Sequence, residues 1–147
     1  YMEKYPDKQG VLFVLDVDNF KKINDTMGHA FGDEVLRSLA VRLQSMFRAT
    51  DIVGRTGGDE FMVFLKDIRE ISMIEREGKK IEQFFHQFEV GEYVKYSVTA
   101  SVGAAVFPGD GKSFEELYKA ADNALYVSKR HGKNQLSFYK KPGNETK

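Results

Sequence analysis

The run Val11-Leu12-Phe13-Val14-Leu15, ending in Asp16-Val17-Asp18, constrains this chain more than any other stretch. A strand with one wet face alternates apolar and polar residues, whereas a continuous apolar run fits a strand covered on both faces. Helices must therefore lie over the sheet that contains it, which points to a layered α+β domain. The period of two puts Asp16 and Asp18 on one side of the strand's C-terminal end. Asp18 or Asn19 also suits the cap of the helical stretch that follows.

A second stretch supplies more acid. Asp51 to Thr56 and Glu60 to Lys66 read as two strands. Gly57-Gly58 between them reads as a tight turn that needs positive φ. Asp59 and Glu60 then stand at the tip of a rigid hairpin. Acidic residues are poor strand formers, so propensity does not account for them. A charged tip that keeps the molecule soluble is the plain alternative. Carboxylates at the end of a central strand, beside a hairpin tip with two more, form a site for a hard divalent cation.

The rest of the chain fills in the layers. Tyr1 to Gly10 is a polar lead-in with a turn at Tyr5-Pro6-Asp7. Asn19 to Met27 is helical, with Phe20 and Ile23 on one face, and Gly28 and Gly32 punctuate it. Asp33 opens a helix whose apolar residues are Val35, Leu36, Leu39, Leu43, Met46 and Phe47, ending near Arg48. In that first turn Asp33 also complements the helix dipole. Glu70 to Phe88 is helical, with Gly78 as a candidate break. Tyr93 to Val106 reads as a strand with a candidate bend at Gly103. Pro108 to Gly111 is a turn, and Ser113 with Glu116 forms a capping box. The helix behind it runs to His131 with Phe114, Leu117, Ala121, Leu125 and Ser128 on one face, and Gly132 stops it. Gln135 to Tyr139 is a last strand, and residues 140–147 are a polar tail. The order βα(α)ββαβαβ describes a ferredoxin-like core in one domain over 1–147.

Composition removes several classes of function. The 147 residues carry 22 basic and 22 acidic side chains, a balance that argues against non-specific nucleic-acid binding. Without cysteine there is no disulfide framework and no thiolate chemistry. No signal peptide and no apolar run of transmembrane length is present, so a cytoplasmic domain is expected, with room for a membrane anchor elsewhere in a full-length protein.

Several blocks now stand together: Asp16-Val17-Asp18-Asn19-Phe20-Lys21-Lys22-Ile23-Asn24-Asp25, Gly28-His29, Gly32-Asp33, Arg55, and Gly57-Gly58-Asp59-Glu60-Phe61. Ser101-Val102-Gly103, Ala121-Asp122-Asn123-Ala124-Leu125-Tyr126 and Lys129 to Asn134 follow in order. This set resembles the GGDEF domain family of bacterial diguanylate cyclases over about Val11 to Asn134. The resemblance implies a central mixed, mostly antiparallel sheet flanked by helices, similar to nucleotidyl cyclases and the polymerase palm. It implies condensation of two GTP into cyclic di-GMP and two pyrophosphates across a homodimer, assisted by two Mg2+ or Mn2+ ions per site.

By the same resemblance Asp16, the Val17 carbonyl and Asp59 hold metal. Glu60 joins them or holds the hairpin. Asp59 or Glu60 accepts the 3′-hydroxyl proton, unless metal activation suffices. Lys21, Lys129 and Lys133 answer the phosphates, although the family carries Arg where Lys133 stands, and Lys129 also suits a helix C-terminus. Asn24 and Asp33 read guanine: a carboxylate accepts N1–H and the 2-amino group, which disfavours ATP by about 2–5 kcal/mol. Gly57 and Gly58 leave room for the substrate. Arg48 and Asp51 match the Arg-x-x-Asp inhibitory product site, with Arg76, Lys79 or Lys80 as candidate third contacts. Arg48 at a helix end and Asp51 in a turn have plain local readings too.

Family members usually carry a further helix and a Leu-Thr-Gly-Leu-type segment upstream, absent here. A piece of a longer protein with a sensor ahead of it is therefore expected. A degenerate module that only binds GTP or cyclic di-GMP is the alternative, and the intact Asp16, Asp59 and Glu60 count against it. A purely structural ferredoxin-like domain leaves the acids unexplained.

Overall fold

The computed structural model describes residues 9–48, 50–92 and 95–140. Its elements are β1 (Gln9–Val17), α1 (Phe20–Met27), α2 (His29–Met46), β2 (Ile52–Gly57), β3 (Glu60–Ile68) and α3 (Ile71–His86). They continue with β4 (Glu89–Val90), β5 (Tyr96–Ser97), β6 (Ala100–Phe107), α4 (Phe114–Arg130) and β7 (Leu136–Phe138). The turn expected at Tyr5-Pro6-Asp7, the start of the Tyr93 strand and the tail from 141 lie outside the described residues.

Five strands form the main sheet in the order β2-β3-β1-β6-β7, and β4-β5 is a separate ribbon. β1 is central and antiparallel to both neighbours, β3 and β6. β2 is antiparallel to β3, and β7 is parallel to β6. β1 and β2 thus run the same way with β3 inserted between them, the ferredoxin-like arrangement expected, and β7 extends the edge.

The apolar run of β1 serves two cores. Val11, Phe13, Leu15 and Val17 face Val35, Leu39 and Leu43 of α2 and Ile74, Ile81 and Phe85 of α3. Leu12 and Val14 face Leu117, Ala121 and Leu125 of α4. Each of these β1 side chains is at most 3% exposed. Burial of one such side chain contributes about 1.5–3 kcal/mol, so the central strand anchors the carboxylates at its end. Small residues on β6 let α4 come close: a Cβ on Gly103 would stand 2.1 Å from the Ala121 carbonyl oxygen.

Several local expectations are corrected. α2 starts at His29, a turn before Asp33, because Gly28 at φ 94 divides α1 from α2 and its carbonyl already accepts from Gly32 N at 3.1 Å. Gly78 does not break α3; it is buried and faces Leu136 and Phe138. Gly103 is a close approach and not a bend. Its strand begins at Ala100, since Thr99 is turned to hydrogen-bond Asp18. The Ser113 cap forms, but the Glu116 side chain accepts from Lys112 N and not from Ser113 N, so the box is half closed. α4 ends at Arg130, and the last strand is limited to Leu136–Phe138. At the acidic hairpin Gly57 pairs with Glu60, so Gly58 and Asp59 form the loop. Neither Gly57 nor Gly58 holds positive φ, and the register slip between Arg55 and Gly57 absorbs the bend.

Candidate active site

Two strand ends and one helix converge here. The sheet register places Asp16 of β1 directly opposite Glu60 of β3. Cross-strand partners project from one face of the sheet. That face is the one covered by α4, and Lys129 Nζ of α4 donates to Asp16 Oδ2. The hairpin loop is tied to the end of β1 by Val17 N, which donates to the Asp59 carbonyl at 3.1 Å. Arg55 braces the loop from behind, with Nε donating to the Gly58 carbonyl at 2.8 Å.

Asp16 is short of partners for its burial. Its side chain is 17% exposed, and Oδ1 is buried with no hydrogen-bond donor. Burial pushes the Asp16 carboxyl above the usual range; Lys129 pulls it back, and the neighbouring Asp59 carboxylate pushes it up again. For Lys129, burial acts downward, while the bond to Asp16 and the charges of Asp16, Asp59 and Glu60 carry the net shift upward, so it stays an ammonium. An orphaned carboxylate oxygen beside a second carboxylate suits a small hard cation with oxygen ligands. Among the described residues no three acidic, histidine or cysteine side chains form a ready cage. A cation there would complete its shell with other oxygens, as Mg2+ commonly does with water and phosphate.

Glu60 is turned toward other partners. Its Oε1 accepts from Thr56 Oγ1 at 2.7 Å and from the Tyr118 hydroxyl of α4. The Tyr118 phenol is pushed up to about 12, first by that bond to Glu60, then by burial and by the charges of Glu60 and Asp122. Nothing in the reading of the sequence singled out Tyr118; it lies 58 positions from Glu60.

Asp18 does not cap α1. It is buried and accepts from Ser101 Oγ at 2.6 Å, Thr99 Oγ1 at 2.7 Å and Asn134 N at 3.0 Å. Lys133, at φ 65, donates from Nζ to Asn19 Oδ1 at 2.9 Å. The loop after α4 is thereby fastened to the turn after β1, and the Lys133 ammonium stands beside the chain leaving Asp16.

The remaining candidates sit farther along the helices. Lys21 is exposed on α1. Asn24 lies against Gly32, where a Cβ would meet its Oδ1 at 1.9 Å, and Asp33 is the next residue, exposed on α2. The α1–α2 junction therefore packs Asn24 against Gly32, the residue before Asp33. Open space surrounds Gly57 and Gly58. Arg48 and Asp51 meet at the corner between α2 and β2: Nε and Nη2 donate to Oδ2 and Oδ1 at 3.1 and 3.0 Å. Arg48 Nη2 also donates to the Lys66 carbonyl at 2.9 Å, and the Arg48 side chain remains 58% exposed. Among the described residues no helix is long and apolar enough to cross a membrane.

Comparison with known proteins bears on this arrangement. The family described as "Diguanylate cyclase, GGDEF domain" matches residues 2–135. Diguanylate cyclase DosC of Escherichia coli is 39% identical over 132 residues, which is 88% of this chain and 28% of that protein. The chain thus spans less than a third of that relative. The crystal structure of the GGDEF domain of YfiN (TpbB) from Pseudomonas aeruginosa superposes with a TM-score of 0.88 at 29% identity, over 95% of this chain and 89% of that one. The GGDEF domain of DgcB from Caulobacter crescentus, solved in complex with c-di-GMP, gives 0.76 at 28% identity over 90% and 77% of the two chains.

Proposed function

The chain belongs to the diguanylate cyclase GGDEF domain family, and from that premise we propose that it condenses two GTP into cyclic di-GMP and two pyrophosphates. The observation that carries the reading is the buried, donor-less Oδ1 of Asp16 beside Asp59. Asp16, the Val17 carbonyl, Asp59 and Glu60 would hold Mg2+ or Mn2+, two per site. When bound, these ions neutralise the triphosphate and acidify the attacking 3′-hydroxyl. Lys129 and Lys133 offset the remaining phosphate charge from one side and Lys21 from another. Asn24 and Asp33 bind the guanine edge. Open space at Gly57 and Gly58 lets the substrate approach the hairpin backbone. Asp59 or Glu60 would take the hydroxyl proton on an oxygen not engaged as a ligand, or water would accept it.

One GTP per domain leaves the second to a partner, so the working unit is a homodimer with the two sites face to face. Arg48 and Asp51 form a second site that binds cyclic di-GMP and feeds back on synthesis. The DgcB domain solved with c-di-GMP supports a product-binding role for this family. The domain works in the cytoplasm as the output of an upstream sensor.

Incubation with GTP and Mg2+, followed by product identification, tests the reading. Asp59→Asn and Asp16→Asn each remove a ligand charge at constant shape and are expected to lower turnover by several orders of magnitude without unfolding the chain. Turnover within threefold of the parent in Asp59→Asn would sink the assignment.

A further inference from the structure

Both hydroxyl donors to Glu60 land on one oxygen. Thr56, from the end of β2, and Tyr118, from α4, donate to Oε1. A carboxylate oxygen has two acceptor sites, so Oε1 is filled and Oε2 is the oxygen left for another partner. Tyr118 does not reach in loosely. Its half-buried ring packs on the α4-side core and lies 5.9 Å from the Phe114 ring. α4 therefore grips both members of the cross-strand acidic pair: Lys129 holds Asp16, and Tyr118 holds Glu60. A carboxylate fixed through one oxygen by a packed phenol and a hairpin hydroxyl is already oriented before its ligand arrives.

We propose that Tyr118 is a positioning residue for Glu60: with Thr56 it holds Oε1 so that Oε2 is presented to the divalent cation bound at Asp16 and Asp59. This rests on the metal site of the proposed cyclase and adds a residue from outside the acidic hairpin to it. Tyr118 touches neither cation nor substrate; it acts through the Glu60 carboxylate. Thr56 supplies the second anchor from the hairpin itself, so each hydroxyl carries part of the orientation.

The test is Mn2+ binding, followed by electron paramagnetic resonance, in the presence of a GTP analogue with a methylene between its α- and β-phosphates. Tyr118→Phe keeps the ring and removes only the O–H. Its Mn2+ dissociation constant is expected to rise about tenfold, as for other groups that orient metal ligands. Excess Mg2+ restores its turnover toward the parent value. In a Glu60→Gln background the same change adds less than twofold. Thr56→Val, at the exposed hairpin where it cannot unseat α4, shifts Mn2+ binding in the same direction. Mn2+ affinity within twofold of the parent in both single variants overturns the proposal, and so does an equal loss in the parent and Glu60→Gln backgrounds, which marks plain packing. A parent that binds Mn2+ with this pattern yet makes no product from GTP refutes the cyclase reading and leaves the role of Tyr118 standing.

Discussion

A methyl group on Gly103 would stand 2.1 Å from the Ala121 carbonyl oxygen and 2.2 Å from Leu125 N, both backbone atoms of α4. Neither can rotate away, so the helix would have to lift off β6. Gly103→Ala is expected to cost about 3 kcal/mol, at the upper end of overpacking effects. Gly58→Ala meets open space at ordinary φ and should change stability by less than about 0.5 kcal/mol, while it crowds the substrate's approach and lowers turnover. Urea unfolding of both variants checks this, and equal midpoints would show that α4 does not sit so close. The two glycines look alike in the sequence, where Gly103 reads as a bend and Gly58 as half of a positive-φ turn. Asp16 and Asp59 stand out in the sequence because each closes an apolar or glycine-rich local pattern. The network around Asp18 does not, since its donors come from 83 and 116 positions away. Tyr118 stayed hidden for the same reason: on a helix near Leu117 and Ala121 it reads as one more core residue.

At the level of elements, the corner where α2 meets β2 is built on one ion pair. Asp51, whose side chain is 3% exposed, takes both arms of Arg48 and also accepts from Lys66 N at 3.3 Å. The hydrogen bond to Asp51 pushes the Arg48 guanidinium up, more than burial pulls it down. A pair with so exposed an arginine adds at most about 1 kcal/mol to stability. Arg48→Ala should therefore remain folded and keep its initial GTP turnover. If this corner is the proposed product site, the variant's cyclic di-GMP affinity should fall at least tenfold, because the guanidinium, whose Nη1 is left free by Asp51 and Lys66, is gone. Asp59→Asn should bind cyclic di-GMP as the parent does. Calorimetry giving equal affinity in Arg48→Ala and the parent would eliminate this second site. Element boundaries were less legible than element types. Gly78 inside α3 costs about 1 kcal/mol of helix propensity, yet its lack of a side chain admits Leu136 and Phe138, and packing prevails. The helix start before Asp33 depended on Gly28 at φ 94, which residue type alone does not reveal.

For the whole molecule, the proposed reaction asks one open acidic end of one sheet to serve two identical substrates. On that proposal a 3′-hydroxyl held at Asp16 and Asp59 would not reach its own α-phosphate to make a product of two nucleotides, and the second phosphate would arrive from another copy of the chain. Two-fold symmetry makes both attacks equivalent and closes the ring in one assembly. Nothing in the sequence offers the heptads that would hold two copies together. Exposed apolar side chains stand on several elements of the described surface: Phe114, Tyr126 and Val127 on α4, Met27 on α1, Val41 on α2, Ile52 on β2 and Ile71 on α3. Association of the domain alone is therefore expected to be weak, with productive encounters dependent on concentration. Turnover per chain should rise nearly in proportion to protein concentration while monomer dominates, and should level off once dimer does. Fusion to a parallel dimeric coiled coil should raise the dilute rate by about 100-fold, the scale of an effective-concentration gain. Sedimentation velocity alongside product formation checks both statements. A rate per chain that stays flat across three decades of concentration, in samples that remain monomeric, would refute the shared site.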